Sequence, residues 1–325
     1  MANFSVVLWA AIPPLLLLGY YYRRVQFPPS LLRLLLLFIF GAISGFAALK
    51  LELVFENVAN SVVNWRRLQY SLFGIALRQF VEIGPIEEGC KLVAVVVPTS
   101  YLQRKYELRP SSIFLFSIAV GLGFTAQENW IYLFHDTASI FNRVIGTPVH
   151  ALFSAPWGYA LGIYISSRMR LHRYRKLIPK AWINSVICHS LVNVLSSAWG
   201  YSAPISFLSY SLFPFLLWMF WRLEQLLRRV QGKPPIVLIS GNTPKHRYWQ
   251  WGLVLFALML GGNAIFGLFL LVDDLSPLSP SQLLYPDVLW FILRCFLLNS
   301  MFGVLAWVIY RYLRYSARRR YFTCN

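Results

Sequence analysis

The sequence predicts an all-α fold: a polytopic integral membrane helical bundle of about nine transmembrane helices, with its N-terminus outside and its C-terminus cytoplasmic. Three observations predict it. Only 13% of the 325 residues are charged, against roughly a quarter in soluble domains, and the mean hydropathy is +0.55. Nine apolar runs approach the ~20 residues that a helix needs to cross a hydrocarbon core. With the N-terminus outside, 23 of the 30 Lys and Arg fall in internal loops and the tail and 4 fall outside, which is the positive-inside pattern.

The run at 5–22 has no preceding positive charge and is followed by Arg23 and Arg24, so it reads as a retained span and not as a cleaved leader. A second run covers 31–51. The stretch 53–70 is too polar to span, and its apolar residues suit a short helix lying in the outer interface. The third run, 72–101, contains Gly84 and Pro85, a pair expected to interrupt the helical hydrogen-bond ladder and bend the span. Runs at 111–134, 148–167, 181–200 and 204–221 complete a seven-helix membrane part over residues 1–230, with its motif-bearing core at about 70–200. A cytoplasmic connection at 231–250 leads to a two-helix appendix at 251–325 with the basic tail "RYLRYSARRR".

The net charge of +18 is divided among short loops beside spans, including the cluster "RMRLHRYRK" at 168–176. Anionic lipid headgroups are the partner at hand for such charges, and nucleic acid is not expected. The four cysteines have no framework spacing, so no disulfide scaffold is expected.

An ionisable group at the bilayer centre costs about 2.5–3.5 kcal/mol on translocon scales. The stretch "PIEEGCK" nonetheless places Glu87, Glu88 and Lys91 in one span, and Glu128, His150 and His189 lie in three others. They must face protein or a wet cavity. Residues four apart share a helix face, and that spacing joins Glu87 to Lys91, Phe124 to Glu128 and His189 to Asn193. Counted from the cytosolic end at about 1.5 Å per residue, Glu87, Glu128 and His150 reach roughly 24–26 Å, Asn193 roughly 20 Å and His189 roughly 14 Å. Four helices thus carry polar groups from mid-membrane to the external third.

The motifs "EEGCK", "FTAQEN", "HALFSAPWG" and "HSLVN" occur in this order on successive spans, and the set resembles the PrsW family, within the Abi/CAAX-type superfamily of intramembrane proteases. The resemblance covers roughly residues 70–200. It implies a membrane-embedded endopeptidase acting on membrane-anchored protein or peptide substrates, expected in a bacterial plasma membrane. Related CAAX endopeptidases carry a histidine where this chain has Glu128 followed by Asn129, so activity on prenylated peptides is not expected.

Peptide hydrolysis needs an activated water, oxyanion stabilisation and a proton for the leaving amine. Glu87 is the expected base, with Glu88 orienting it or sharing the proton, and Lys91 offsetting one negative charge from i+4 and i+3. His189 and Asn193 are candidates for the oxyanion site, His150 assists the base or protonates the amine, and Glu128 orients His150 or water. Phe124 lines the cavity or packs beneath it. No cofactor is required on this reading. A zinc variant would use Glu128, His150 and His189, a two-histidine, one-carboxylate set, although no HExxH is present. A proton-coupled transporter is the rival class, since Glu and His in spans also form relays, but transporters commonly repeat their halves and residues 204–325 hold no counterpart of the polar cluster.

Overall fold

The computed structural model describes residues 2–166 and 176–323. Most of the basic cluster at 168–176 therefore lies outside the described residues. Helices account for the regular structure: α1 (Ala2–Arg24), α2 (Leu31–Val62), α3 (Leu72–Arg78), α4 (Gly84–Lys105), α5 (Pro110–Phe134), α6 (Ile140–Gly146), α7 (Val149–Ser166), α8 (Leu177–Ser197), α9 (Leu212–Val230), α10 (Pro244–Leu275) and α11 (Pro286–Thr323). No strand occurs among the described residues.

Among the described residues, five helices are long and apolar enough to cross a membrane: α1, α2, α5, α10 and α11. This is an integral membrane protein. Helices α4, α7 and α8 fall outside that set, and they carry Glu87, Glu88 and Lys91, His150, and His189 respectively. The run at 204–221 begins as a 3-10 turn, Ile205–Ser211, before α9 starts at Leu212. The second half of α9 bears Arg222, Glu224, Arg228 and Arg229.

The chain divides into two compact units, Met1–Val194 with Leu223–Pro234, and Leu195–Arg222 with Pro235–Asn325. In the first, α5 is the central element, and α1, α2, α4 and α7 pack around it. Ile113 to Ala119 are almost wholly buried. Close approach depends on glycine. A Cβ at Gly123 would collide with the Phe38 carbonyl of α2, and one at Gly121 with the His150 carbonyl of α7. Small residues let membrane helices pack backbone to backbone in this way.

The stretch 53–70 differs from expectation. Helix α2 runs on to Val62, and a 3-10 turn at Trp65–Tyr70 follows. Ion pairs hold this extension: Glu56 pairs with Arg66 at 2.7 Å and with Arg78 at 3.5 Å, and Arg78 reaches Glu82 at 3.2 Å. Trp65 is buried, and its indole donates to Glu82 at 2.6 Å.

In the second unit α10 packs on α11. Trp199, Tyr210, Phe213 and Phe266 form an aromatic cluster beside α10.

Candidate active site

Ser71 caps α3 by accepting from the Gly74 amide. The chain then widens into a π-helical turn, Gln79–Ile83, and continues into α4. The Gly84 amide donates to the Gln79 carbonyl, while Pro85 has no amide to donate. Gly84 and Pro85 thus mark a π turn within a continuing rod. Such turns are frequent at functional sites. The Gln79 carbonyl also accepts from Ser190 Oγ on α8 at 2.8 Å, which ties the irregular turn to a second helix.

One turn further on, α4 presents Glu87, Glu88 and Lys91, all buried. Lys91 Nζ lies 3.0 Å from Glu87 Oε2, 2.9 Å from Glu88 Oε1 and 2.8 Å from His150 Nδ1. An ammonium has three donors and no acceptor, so these contacts saturate it and make His150 Nδ1 an acceptor. His150 is accordingly assigned its proton on Nε2, which donates to Glu128 Oε2 at 2.8 Å. The Phe124 ring packs 3.8 Å from the ammonium and 5.1 Å from the His150 ring.

The two glutamates are held differently. Glu88 Oε1 accepts from Lys91 and from His189 Nδ1 at 3.2 Å, and its Oε2 accepts from Trp157 Nε1 at 3.0 Å. Glu87 shares one oxygen with Lys91, and that oxygen faces His189 Nε2 at 3.7 Å and His150 Nδ1 at 3.9 Å. Its other oxygen makes no hydrogen bond among the described residues. The His189 ring stacks on Phe153 with centroids 4.5 Å apart and stands 5.5 Å from the His150 ring.

On the far side of His150, Glu128 Oε2 also accepts from Arg143 Nη2 at 3.1 Å, while Arg143 Nε donates to Asn129 Oδ1 at 2.7 Å. Asn193 donates to the Gln79 side chain at 2.9 Å, one turn along α8 from His189. Glu87, Glu88, Lys91, Phe124, Glu128, His150 and His189 therefore meet in one cluster, in which Glu128 alone is partly exposed. Asn129 and Asn193 are anchored at its margins.

Glu87, His150 and His189 each offer one ligand atom within 4.8 Å of the others, a group that could hold a metal ion. Glu128, on the other side of His150, is outside that group.

The family described as "PrsW family intramembrane metalloprotease" matches residues 29–219, more than half of the chain. The chain belongs to the PrsW family. Protease PrsW of Shouchella clausii (strain KSM-K16) is 26% identical over 233 residues, which cover 69% of this chain and 98% of that protein. Protease PrsW of Clostridioides difficile (strain 630) is 30% identical over 91 residues, 26% of this chain and 37% of that one. No solved structure matches significantly. The PrsW match takes in the whole polar cluster, from α4 to α8.

Three contributors to this PrsW site escape the motif reading. Trp157 lies seven residues after His150, two turns along α7, and that spacing alone puts it on the histidine's face. Gln79 is a polar residue in an apolar run, a signal visible in the sequence. Arg143 comes from α6, which Ser139 caps by accepting from the Asn142 amide, and no helical period links it to Glu128.

Proposed function

We propose that this PrsW-family chain is an intramembrane endopeptidase that cleaves membrane-anchored protein substrates with a water activated by Glu87. The observation that carries the proposal is the unequal treatment of two adjacent buried carboxylates: Glu88 is fully engaged, and Glu87 keeps an oxygen outside the hydrogen-bond network. A base needs a lone pair available to water.

In this reading Glu87 takes a proton from water, whose oxygen bonds to the scissile carbonyl carbon. An imidazolium at His189, held at Nδ1 by Glu88, would present Nε2–H to the oxyanion. Collapse breaks the C–N bond, and Glu87 returns the proton to the departing amine. Lys91 offsets the charge of the carboxylate pair, Glu128 and Arg143 fix His150, and Phe124 screens the ammonium. Asn193 supports the wall through Gln79.

Helices α4, α7, α8 and α9 join the five most apolar ones to make nine spans. The distribution of Lys and Arg supports an external N-terminus and a cytoplasmic C-terminus, and the two bacterial relatives support a bacterial plasma membrane.

A second reading has its own observation. Two histidines and a carboxylate within 4.8 Å form a donor set suited to zinc with an open position, here Glu87, His150 and His189. Zinc bound there would polarise the carbonyl oxygen and make bound water more acidic. The fit in donor identity is good, but both His150 nitrogens are already engaged, by Lys91 and Glu128. That favours the glutamate reading.

The test uses the purified full-length protein in liposomes with a membrane-anchored substrate. Glu87→Gln keeps the shape and removes the base, and a loss of about 10²–10⁴-fold in cleavage rate is expected. Cleavage within twofold of wild type would remove Glu87 from the reaction. Activity that disappears with stoichiometric metal removal and returns with zinc would establish the second reading over the first.

A further inference from the structure

The C-terminal unit contains a cavity of about 490 Å³ between the first half of α9 and the facing sides of α10 and α11. That size lies within the roughly 300–1,000 Å³ of small-molecule sites. Its lining is overwhelmingly apolar and includes Gly261 and Gly303 at mid-helix, where the neighbouring helices come close. Asn299 and Ser300 line one end of its α11 face, and Trp307, Tyr310 and Leu313 line the other, with Trp221 of α9 also in the lining. Two arginines outside the lining touch those aromatics: Arg311 lies 5.2 Å from the Trp307 ring, and Arg314 donates to the Tyr310 hydroxyl at 3.1 Å. The indole Nε1 of Trp221 is buried without a hydrogen-bond partner among the described residues, and an unmatched buried donor is costly.

We propose that this cavity is a binding site for one anionic glycerophospholipid, with an acyl chain between α10 and α11, its phosphate at Arg311 and Arg314, and an ester oxygen accepting from Trp221. Three features favour this occupant over an apolar peptide segment. The slot is almost wholly apolar, two arginines touch aromatics of its lining, and a lining indole has a buried donor without a partner among the described residues. Basic pockets between membrane helices bind anionic headgroups by the same logic. The site shares no residue with the carboxylate–histidine cluster, so its occupancy can be measured whether or not the chain cleaves peptides.

The test is native mass spectrometry of the delipidated full-length protein in detergent, titrated with dioleoyl phosphatidylglycerol or dioleoyl phosphatidylcholine. One phosphatidylglycerol should bind with about tenfold preference over phosphatidylcholine. The double variant Arg311→Gln, Arg314→Gln should bring the two lipids to equal affinity, and Trp221→Phe should weaken phosphatidylglycerol by about fivefold. Gly303→Leu fills the slot and should abolish the high-affinity site for both lipids. Equal binding of the two lipids by wild type, or a preference that survives both the double arginine variant and Gly303→Leu, would mean annular lipid only and overturn the proposal. The arginine variants alter the rim alone, so the test remains decisive if Gly303→Leu fails to fold.

Discussion

Helices α5 and α11 are both long and apolar enough to cross a membrane, yet 94% of the most apolar window of α5 is buried within the protein and only 6% of that of α11. Apolar composition alone does not say what covers a helix. The residues at contact positions do. Helix α5 brings Gly121, Gly123, Ser117 and Thr125 against its neighbours, all buried, and once encased it can carry Glu128 and Asn129 into a polar network. Helix α11 shows Leu293, Leu297, Met301 and Val304 outward, side chains suited to lipid. A charged cluster within a bilayer needs the first kind of helix, because charges there face the protein interior or a wet cavity and not lipid.

The sharpest way to break the encased region is to remove its central cation. Lys91→Met leaves Glu87 and Glu88 without their shared partner and frees His150 Nδ1. Breaking a buried ion pair costs about 3–5 kcal/mol, so the detergent-solubilised protein should melt about 10 °C lower, with cleavage lost. Adding Glu88→Gln should restore part of the melting temperature but not the activity, since coupled residues are non-additive. If Lys91→Met melts at the wild-type temperature, the cluster is wetter than its burial implies.

The contrast between the two regions is sharpened by placing the same substitution in each. Gly123→Val on α5 would drive a side chain into the Phe38 backbone, whereas a Cβ at Gly252 on α10 would have nothing within 4 Å of it. Overpacking costs about 1–3 kcal/mol, so Gly123→Val should lower the melting temperature by several degrees and Gly252→Val should leave it within the error of measurement. Equal effects would mean that α5 has room to adjust and that burial does not separate the two helices.

What can be read from the sequence follows the range of the interactions involved. Glu87 with Lys91 is geometry within one helix, so the i, i+4 spacing is sufficient to find it. The gathering of Glu128, His150 and His189 around that pair is visible only as a similarity of depth, because depth is measured along each helix and rotation about each axis is fixed by packing. Contacts across helices therefore stay hidden: Lys91 to His150, Trp157 to Glu88, and Asn193 to Gln79 rather than into the carboxylate cluster. The continuation of α2 to Val62 is hidden for a related reason. Glu56 looks like a polar residue that ends a span until Arg66 and Arg78 return from the next elements to neutralise it.

Arg143 gives the mildest and most specific test, because it reaches the site from a short helix and not from the encased core. Its guanidinium bonds both Glu128 and Asn129 and packs 4.4 Å from the Tyr132 ring. On the mechanism proposed above it would act through the carboxylate that holds His150, as a positioning residue. Arg143→Gln should lower kcat by about tenfold, equivalent to about 1.4 kcal/mol, with KM unchanged, because the substrate meets the same walls. Arg143→Lys keeps the charge but loses the planar two-point grip and should recover only part of the rate. A purely structural role would instead reduce the fraction of folded enzyme and the melting temperature together, leaving kcat per active site at its wild-type value, and that pattern would detach Arg143 from the chemistry.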